Sequence, residues 1–204
     1  MNIIAHARGA LVVLAAALAL PALAQEAPDA MVKRVSQETV AAIKADPKLI
    51  AGDPARVREV IETKLLPNFD FARMTALAMG RNWNRAKPEQ QAKLIEEFKT
   101  LLVRTYSGAL TQYRDEKIDV KPLRGDASAN EVTVRSEVIR PGRAPVQIDY
   151  AMTKTPQGWK AYDVIVGGVS LVTNYRDEFN EQIKAGGVDG LIKTLADKNR
   201  AGSK

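Results

Sequence analysis

The segment EVTVRSEVIRPGRAPVQIDYAMTKTPQGWKAYDVIV, residues 131–166, is the part of the chain most informative about its fold. Within it and just before it, apolar side chains alternate with polar ones, which is typical of half-buried strands. The alternating residues are Ile118, Val120, Val132, Val134, Val138, Val146, Ile148, Tyr150 and Met152. Turn-forming residues separate the runs at Gly125-Asp126, Pro141-Gly142 and Pro156-Gln157-Gly158. The last run, Trp159 to Val166, is apolar on both faces towards its end, so the pattern predicts four antiparallel strands in a meander.

The residues before this segment carry helical periodicity. The strongest pattern runs from Lys87 to about Arg114, where apolar residues recur at the spacing of one buried helix face. A weaker stripe runs from Met31 to Ile43. Asp53 is placed to cap one short helix, and the segment Asn68-Phe69-Asp70 can cap another. Helices followed by strands predict an α+β fold, with helices packed on a four-stranded sheet.

After the strands, Gly167-Gly168 is expected to end the sheet. Two short helices should follow, the first capped by Asn174 and stopped by Gly186-Gly187, the second bearing Val188 to Leu195. The segment from Lys198 to Lys204 is expected to be a frayed tail.

Residues 1–24 have the three parts of a secretory signal peptide. Arg8 precedes an apolar run, and the small residues Ala22 and Ala24 precede Gln25. The run from Ala10 to Leu20 has 11 residues, whereas a membrane-spanning helix needs about 20. We therefore predict cleavage between Ala24 and Gln25, leaving a single domain over residues 25–204.

The composition narrows the chemistry that the mature protein can carry. The chain has no Cys, and its one histidine, His6, lies in the predicted signal peptide. Thiol and imidazole nucleophile pairs and zinc sites built on Cys or His are therefore excluded. The net charge is +6, but basic residues are spread among acidic ones, without the clusters that indicate nucleic-acid binding. We expect no metal and no nucleic-acid partner.

Two further features leave alternatives open. Tyr162 beside Asp163 is the one suggestive acid–base pair, yet neighbouring strand residues face opposite ways unless a bulge intervenes, so a structural role for Asp163 is favoured. Helices over a curved sheet can enclose an apolar pocket that suits acyl chains. The same small aliphatic residues can also fill an ordinary core, and the pattern alone favours the core.

Two segments, which follow one another in this order along the chain, resemble those of a known family. The first is NFDFARMTALAMG at 68–80, followed by Trp83, PEQQ at 88–91, and Phe98, Leu102 and Tyr106. The second is GWKAYDV at 158–164, followed by GVSLV at 168–172, NYR at 174–176 and Phe179. Together they resemble the MlaC family of periplasmic phospholipid carriers, whose second segment reads W-x-x-Y-D-V … G-V-S-L-V-x-N-Y-R … F.

The resemblance implies an NTF2-like curved sheet that encloses one lipid-filled pocket, with phospholipid as cargo and no cofactor. It implies a non-enzymatic, monomeric periplasmic carrier. The implied partners are an inner-membrane ABC transporter complex with a lipid-binding MCE-type subunit and an outer-membrane lipoprotein–porin complex. Two alternatives stay open: an NTF2-like enzyme that uses Tyr162 or Asp163 on a hydrophobic substrate, and a periplasmic chaperone.

Pocket residues can be predicted from the inward alternation of the sheet and from the long helix. The candidates for lipid contact are Phe98, Leu102, Tyr106, Val134, Val138, Ile148, Tyr150, Val164, Val166 and Leu171. The sequence does not distinguish whether the even-numbered or the odd-numbered residues of the last strand face the pocket, because Trp159, Ala161 and Ile165 are apolar as well. The candidates for contact with a headgroup phosphate or with acidic groups of a partner are Arg81, Arg85, Arg140 and Arg143.

Overall fold

The computed structural model describes residues 25–111, 116–125 and 129–201, with the backbone alone for 109–111. The predicted signal peptide lies outside the described residues. Over the described ranges the helices are α1 (Pro28–Ala45), α2 (Pro47–Ile50), α3 (Pro54–Val60), α4 (Phe71–Met79), α5 (Pro88–Thr111) and α6 (Leu171–Ala201). A π-helical turn (Ile61–Leu65) and two 3-10 turns (Leu66–Asn68 and Gly80–Arg85) connect α3, α4 and α5. None of the helices in these ranges is long and apolar enough to cross a bilayer.

Aspartates begin three of the helices by accepting hydrogen bonds from otherwise unpaired amides. Asp53 accepts from the Ala55 and Arg56 amides at 2.9 and 3.1 Å, and Asp70 accepts from the Arg73 amide at 2.9 Å. These contacts confirm the two predicted caps. Asp46 caps α2 in the same way.

Five antiparallel strands form a meander in chain order: β1 (Lys117–Val120), β2 (Glu131–Ile139), β3 (Val146–Thr155), β4 (Gly158–Val166) and β5 (Val169–Ser170). The predicted α+β architecture is confirmed, but the prediction of four strands missed β5. Gly167 and Gly168, with φ of 57° and 86°, form a two-residue hairpin turn. Val166 consequently pairs with Val169. The glycine pair therefore turns the sheet, and the expectation that it ends the sheet is wrong.

A β-bulge interrupts the pairing of β3 with β4. Ala151 pairs with Asp163, whereas the next residue, Met152, pairs with Ala161. Tyr162 is therefore an extra residue on β4. As a result, odd-numbered residues before the bulge and even-numbered residues after it face the same side of the sheet.

The last helix differs from its predicted start and end. It begins at Leu171, because Ser170 accepts from the Thr173 amide at 2.9 Å and Asp163 accepts from the Val172 amide at 3.2 Å. Asn174 is therefore not the cap. Gly187, with φ 67°, breaks the helix where the sequence predicts a boundary. Beyond the predicted second helix, α6 continues to Ala201, whereas a frayed tail was expected from Lys198.

Three apolar clusters hold these elements together. The first joins α4, α5 and α6 around Phe98 and Phe179. The second joins α1 to the sheet around Met31, Val134 and Met152. The third joins α2, α3 and the π-helical turn, with Val103 of α5 against it. Between these clusters the interior is not filled.

Candidate functional site

A cavity of about 380 Å³ lies between α1, the turns of residues 61–68, α4, α5 and one face of the sheet. The sheet contributes Ile118, Ile148, Tyr150, Met152, Ala161, Val164 and Val166. The helices and turns contribute Met31, Val32, Val35, Ser36, Thr39, Val40, Ile43, Ile61, Leu65, Leu66, Asn68, Phe69, Phe71, Met74, Leu102, Val103, Tyr106, Ser107 and Leu171. The volume falls within the roughly 300–1,000 Å³ that is typical of ligand pockets.

The wall of the cavity is apolar and uncharged. No lysine, arginine, aspartate or glutamate is among the described residues that line it. Thr39 donates its hydroxyl hydrogen bond to the Val35 carbonyl at 2.8 Å, and Asn68 donates to the Lys64 carbonyl at 2.6 Å. Ser107 donates to a carbonyl of its own helix. Because these three donors are satisfied by backbone oxygens, an apolar guest does not leave them unpaired.

Two tyrosines bring hydroxyl groups to the wall. Burial raises the pKa of Tyr150, while the Ser136 hydroxyl beside it acts in the opposite direction. Burial also raises the pKa of Tyr106, and the neighbouring Tyr175 adds to that shift. Both phenols therefore stay protonated and neutral at physiological pH, so they add no charge to the cavity.

The cavity is elongated along the strands. Ile148, Tyr150 and Met152 line it at every second position of β3, a span of about 13 Å at the rise of a strand. At one end, Tyr106 and Val166 are 38% and 37% exposed. Towards the other end, Met152 and Ala161 are buried. The cavity therefore opens to solvent beside Tyr106 and Val166, and we name this the open end and the opposite side the closed end.

Seven of the ten residues predicted to contact lipid line the cavity: Leu102, Tyr106, Ile148, Tyr150, Val164, Val166 and Leu171. Three do not. Phe98 is fully buried in the first cluster, with its ring edge-to-face against Tyr175 and Phe179 at centroid distances of 5.1 and 5.0 Å. Val134 is fully buried against α1, and Val138 pairs with Val146 beyond the open end.

The bulge determines which residues of β4 face the cavity. Val164 and Val166 line the cavity on one side of Tyr162, and Ala161 lines it on the other. Odd-numbered and even-numbered residues of β4 therefore both line the cavity, on the two sides of the bulge. A regular strand would turn either Ala161 or Val164 away from the cavity.

The four predicted arginines do not line the cavity. Arg81 and Arg85 are exposed on the 3-10 turn after α4, and Arg143 is exposed in the β2–β3 turn. Arg140 lies at an ion-pair distance of 3.5 Å from Glu116, without hydrogen-bond geometry at its Nε. Arg81 and Arg85 thus lie in one turn, and Arg140 and Arg143 in another connection.

The predicted site left out the side of the cavity that α1 and the irregular turns form. α1 supplies seven lining residues, from Met31 to Ile43, and the irregular turns supply Ile61, Leu65, Leu66 and Asn68. The apolar stripe of α1 is visible in the sequence, but a stripe facing a cavity has the same period as one facing a core. The π-helical turn has no comparable signal.

The comparisons with known proteins agree with this geometry. Residues 33–197 match the sequence model of the MlaC protein family, which is most of the chain. The chain belongs to the MlaC family. The toluene tolerance protein ttg2D of Pseudomonas putida is 28% identical over 189 residues, 92% of this chain and 87% of that protein. The intermembrane phospholipid transport system binding protein MlaC of Haemophilus influenzae is 24% identical over 177 residues, 85% of this chain and 83% of that protein.

A solved structure is similar as well. The phospholipid-binding protein of Ralstonia solanacearum, determined in complex with a phospholipid at 1.53 Å, is 41% identical. The superposition has a TM-score of 0.81 and covers 86% of this chain and 98% of that chain. The described fold is therefore that of the MlaC family.

In this member of the MlaC family, Tyr162 and Asp163 both lie outside the cavity lining. The Tyr162 hydroxyl donates to Glu131 at 3.2 Å, and the guanidinium carbon of Arg73 lies 3.6 Å from the centre of the Tyr162 ring. Asp163 accepts from Ser170 and from the start of α6. Both residues thus tie helices to the sheet. Over the described ranges, no group of three or more acidic, His or Cys side chains could hold a metal ion.

Proposed function

We propose that this protein is a phospholipid carrier that shields acyl chains in its cavity. The observation that carries the proposal is the uncharged, open-ended cavity in a chain of the MlaC family. Exposing an acyl chain to water costs about 0.8 kcal/mol per CH₂, so a soluble carrier must enclose most of the chain. The phospholipid bound to the Ralstonia solanacearum protein supports this reading.

Binding in this cavity requires no chemical step. The neutral wall offers dispersion contacts and removes apolar surface from water, and the donors of Thr39, Asn68 and Ser107 are already satisfied by backbone oxygens. A lipid can therefore leave unchanged by the same open end, beside Tyr106 and Val166. Release then depends on a second apolar site that takes over the chains.

The geometry favours this carrier over an enzyme. The two residues predicted as acid or base, Tyr162 and Asp163, are outside the cavity lining and engaged with Glu131, Arg73 and Ser170. A general acid or base must lie within hydrogen-bond reach of the bound substrate. Neither residue meets that condition for a guest in the cavity.

The cellular setting belongs to the same proposal. We place the mature protein, starting at Gln25, in the periplasm as a monomer. Its partners are an inner-membrane ABC transporter complex with an MCE-type subunit and an outer-membrane lipoprotein–porin complex. The name of the Haemophilus influenzae relative, which describes an intermembrane phospholipid transport system, supports this setting.

Organic extraction of the detergent-free periplasmic protein tests the proposal. We expect about one equivalent of phospholipid per protein, identified by mass spectrometry of the extract. An extract without phospholipid, from protein that is folded by circular dichroism, contradicts the carrier function. Suppressed aggregation of unrelated denatured proteins, without bound lipid, supports a chaperone instead.

A further inference from the structure

A second space lies next to the closed end of the cavity. It is a polar groove of about 650 Å³ beside the β3–β4 turn, which we name the basic groove. Met31 and Asn68 line both the basic groove and the cavity. The buried Trp159 also lines the basic groove. The two spaces therefore meet at the side chains of Met31 and Asn68.

The basic groove carries the charge that the cavity lacks. Arg34, Lys154 and Lys160 line it, and Glu26 is the one carboxylate among its lining residues. Glu26 is bound to Arg34 at 2.8 Å, and this hydrogen bond lowers the pKa of Glu26. Arg34 also pairs with Glu38 at 3.3 Å, so three cations face two carboxylates and leave an excess of one positive charge. An anion is therefore attracted to this groove more than to the uncharged cavity.

Met31 is the movable part of the boundary. Asn68 is held in place because its amide donates to the Lys64 and Leu65 carbonyls at 2.6 and 3.4 Å. Methionine is unbranched and rotates about three bonds, so it adapts to irregular spaces at low cost. Its side chain has about the width of one alkyl chain. Of the two shared residues, Met31 is therefore the one whose side chain can move at low cost.

We propose that the basic groove binds the anionic end group of a single-chain lipid whose chain displaces Met31 and enters the cavity. The shared chemistry is a fatty-acid carboxylate or a lysophospholipid phosphate joined to one acyl chain. This inference rests on the proposed function, because it requires that the cavity accepts acyl chains. It adds a second opening, at the end opposite Tyr106 and Val166.

Fluorescence quenching of Trp159 distinguishes the two openings. The chain has two tryptophans, and Trp83 lines neither space, so Trp83→Phe leaves Trp159 as the single reporter. The delipidated variant is titrated with palmitic acids brominated either near the carboxylate or near the methyl end. Palmitoyl lysophosphatidylglycerols brominated in the same two ways form the second arm.

A lipid anchored in the basic groove brings its head-proximal bromines to Trp159. We expect stronger quenching by the head-proximal compound, and the arm that shows it identifies carboxylate or phosphate as the preferred anion. A lipid that enters at the open end brings its methyl end to Trp159 instead. Stronger quenching by the methyl-end compound in both arms, or quenching in neither arm, overturns the inference.

Charge reversal gives an independent test on the exposed rim. Lys154→Glu should weaken binding of the acid roughly fivefold, since an exposed charge contact contributes up to about 1 kcal/mol and reversal adds repulsion. Lys93→Glu, an exposed residue that lines neither space, is the matched control and should leave binding unchanged. Equal effects of the two reversals contradict a site in the basic groove.

A rim variant separates this inference from the carrier function. Lys154 lines the basic groove and not the cavity, so Lys154→Glu should leave the co-purified phospholipid at the wild-type level while it weakens binding of the single-chain lipid. Loss of both ligands in a folded Lys154→Glu protein contradicts a separate opening. Absence of phospholipid from wild-type protein contradicts the carrier function itself.

Discussion

Ser170 donates a hydrogen bond of 2.5 Å to the carboxylate of Asp163, seven residues earlier in the chain. The same carboxylate accepts from the Val172 amide at 3.2 Å, in the first turn of α6. A residue of β4 therefore caps α6. Leu171, between these two contacts, is held against the cavity as a consequence.

Removing this cap should lower stability. Hydrogen bonds to charged groups contribute about 1.5–3 kcal/mol, so we expect Asp163→Ala to cost about 2 kcal/mol. For a domain of this size the loss corresponds to a fall in Tm of roughly 4–8 °C, measured by thermal unfolding. The Tm of Asp163→Asn should fall less, because asparagine keeps one oxygen as a hydrogen-bond acceptor.

The exposed Asp177 of α6 provides the control for this change, because Asp177→Ala should stay within about 0.5 kcal/mol of wild type. An unchanged Tm for Asp163→Ala contradicts the capping role. If Asp163 acts in catalysis, its removal should instead abolish turnover with little change in stability.

Much of the fold can be predicted from the sequence because its local signals agree. Asp53 was identifiable as a cap, and Asp70 as part of a capping segment, Asn68-Phe69-Asp70. The switch from helical spacing to alternation marks the border between α5 and β1. The errors arise where tertiary contacts replace local signals. Asn174 is a good cap by residue type, but Asp163 and Ser170 cap α6 so that it starts four residues earlier, at Leu171.

The candidate site was harder to predict than the fold. A cavity and a close-packed core both require apolar side chains with the same periodicity, so Phe98 and Val134 could not be told apart from Leu102 and Val164. The bulge at Tyr162 changes the parity of β4 and leaves no mark in the residue pattern. The α1 wall of the cavity depends on how far α1 stands from the sheet, which periodicity does not specify.

The glycine turn between β4 and β5 should tolerate no side chain branched at Cβ. Gly167 and Gly168 both have positive φ, which costs other residues about 1–3 kcal/mol. We expect Gly167→Val and Gly168→Val each to lower the free energy of unfolding by that amount, measured by urea denaturation.

Gly108 is the matched control for this turn. It lies within α5, and an added Cβ meets no atom within 4 Å. Gly108→Ala should therefore stabilise the protein, by about 0.5–1 kcal/mol, because alanine loses less backbone entropy in a helix. Unchanged stability in both valine variants shows that the turn does not require glycine.

Acid should weaken the contact of Arg73 with Glu131. Their hydrogen bond, at 2.7 Å, lowers the pKa of Glu131 below its ordinary value of 4.5. A carboxyl group with a lowered folded pKa stabilises the protein above its unfolded pKa and loses this contribution as the pH falls through the folded pKa. Wild-type Tm should thus decline more steeply below about pH 4.5 than the Tm of Glu131→Gln.

Arg73→Gln supplies the control for that comparison. With the guanidinium absent, Glu131→Gln should no longer change the acid slope of Tm. If Glu131→Gln changes the decline of Tm in acid equally in wild type and in Arg73→Gln, the pH dependence arises from a contact other than that of Arg73 with Glu131.

Processing of the chain can be measured directly. The small residues Ala22 and Ala24 fit the positions that signal peptidase requires, so the exported protein should begin at Gln25. Intact-mass spectrometry of the periplasmic fraction should give the mass of residues 25–204. A mass that includes residues 1–24 contradicts cleavage, and Ala24→Tyr should block it.

Substitution by tryptophan should separate cavity from core. Val164 and Ile148 line the cavity, so Val164→Trp and Ile148→Trp should occupy acyl-chain space, lower the co-purified phospholipid and keep a near-wild-type circular dichroism spectrum. Val134 faces the same side of the sheet but is fully buried in the second cluster. Val134→Trp should therefore overpack the core and cost about 1–3 kcal/mol or more. If all three variants unfold alike, or if the two cavity variants keep their full lipid content, the space beside Val164 and Ile148 does not hold the acyl chains.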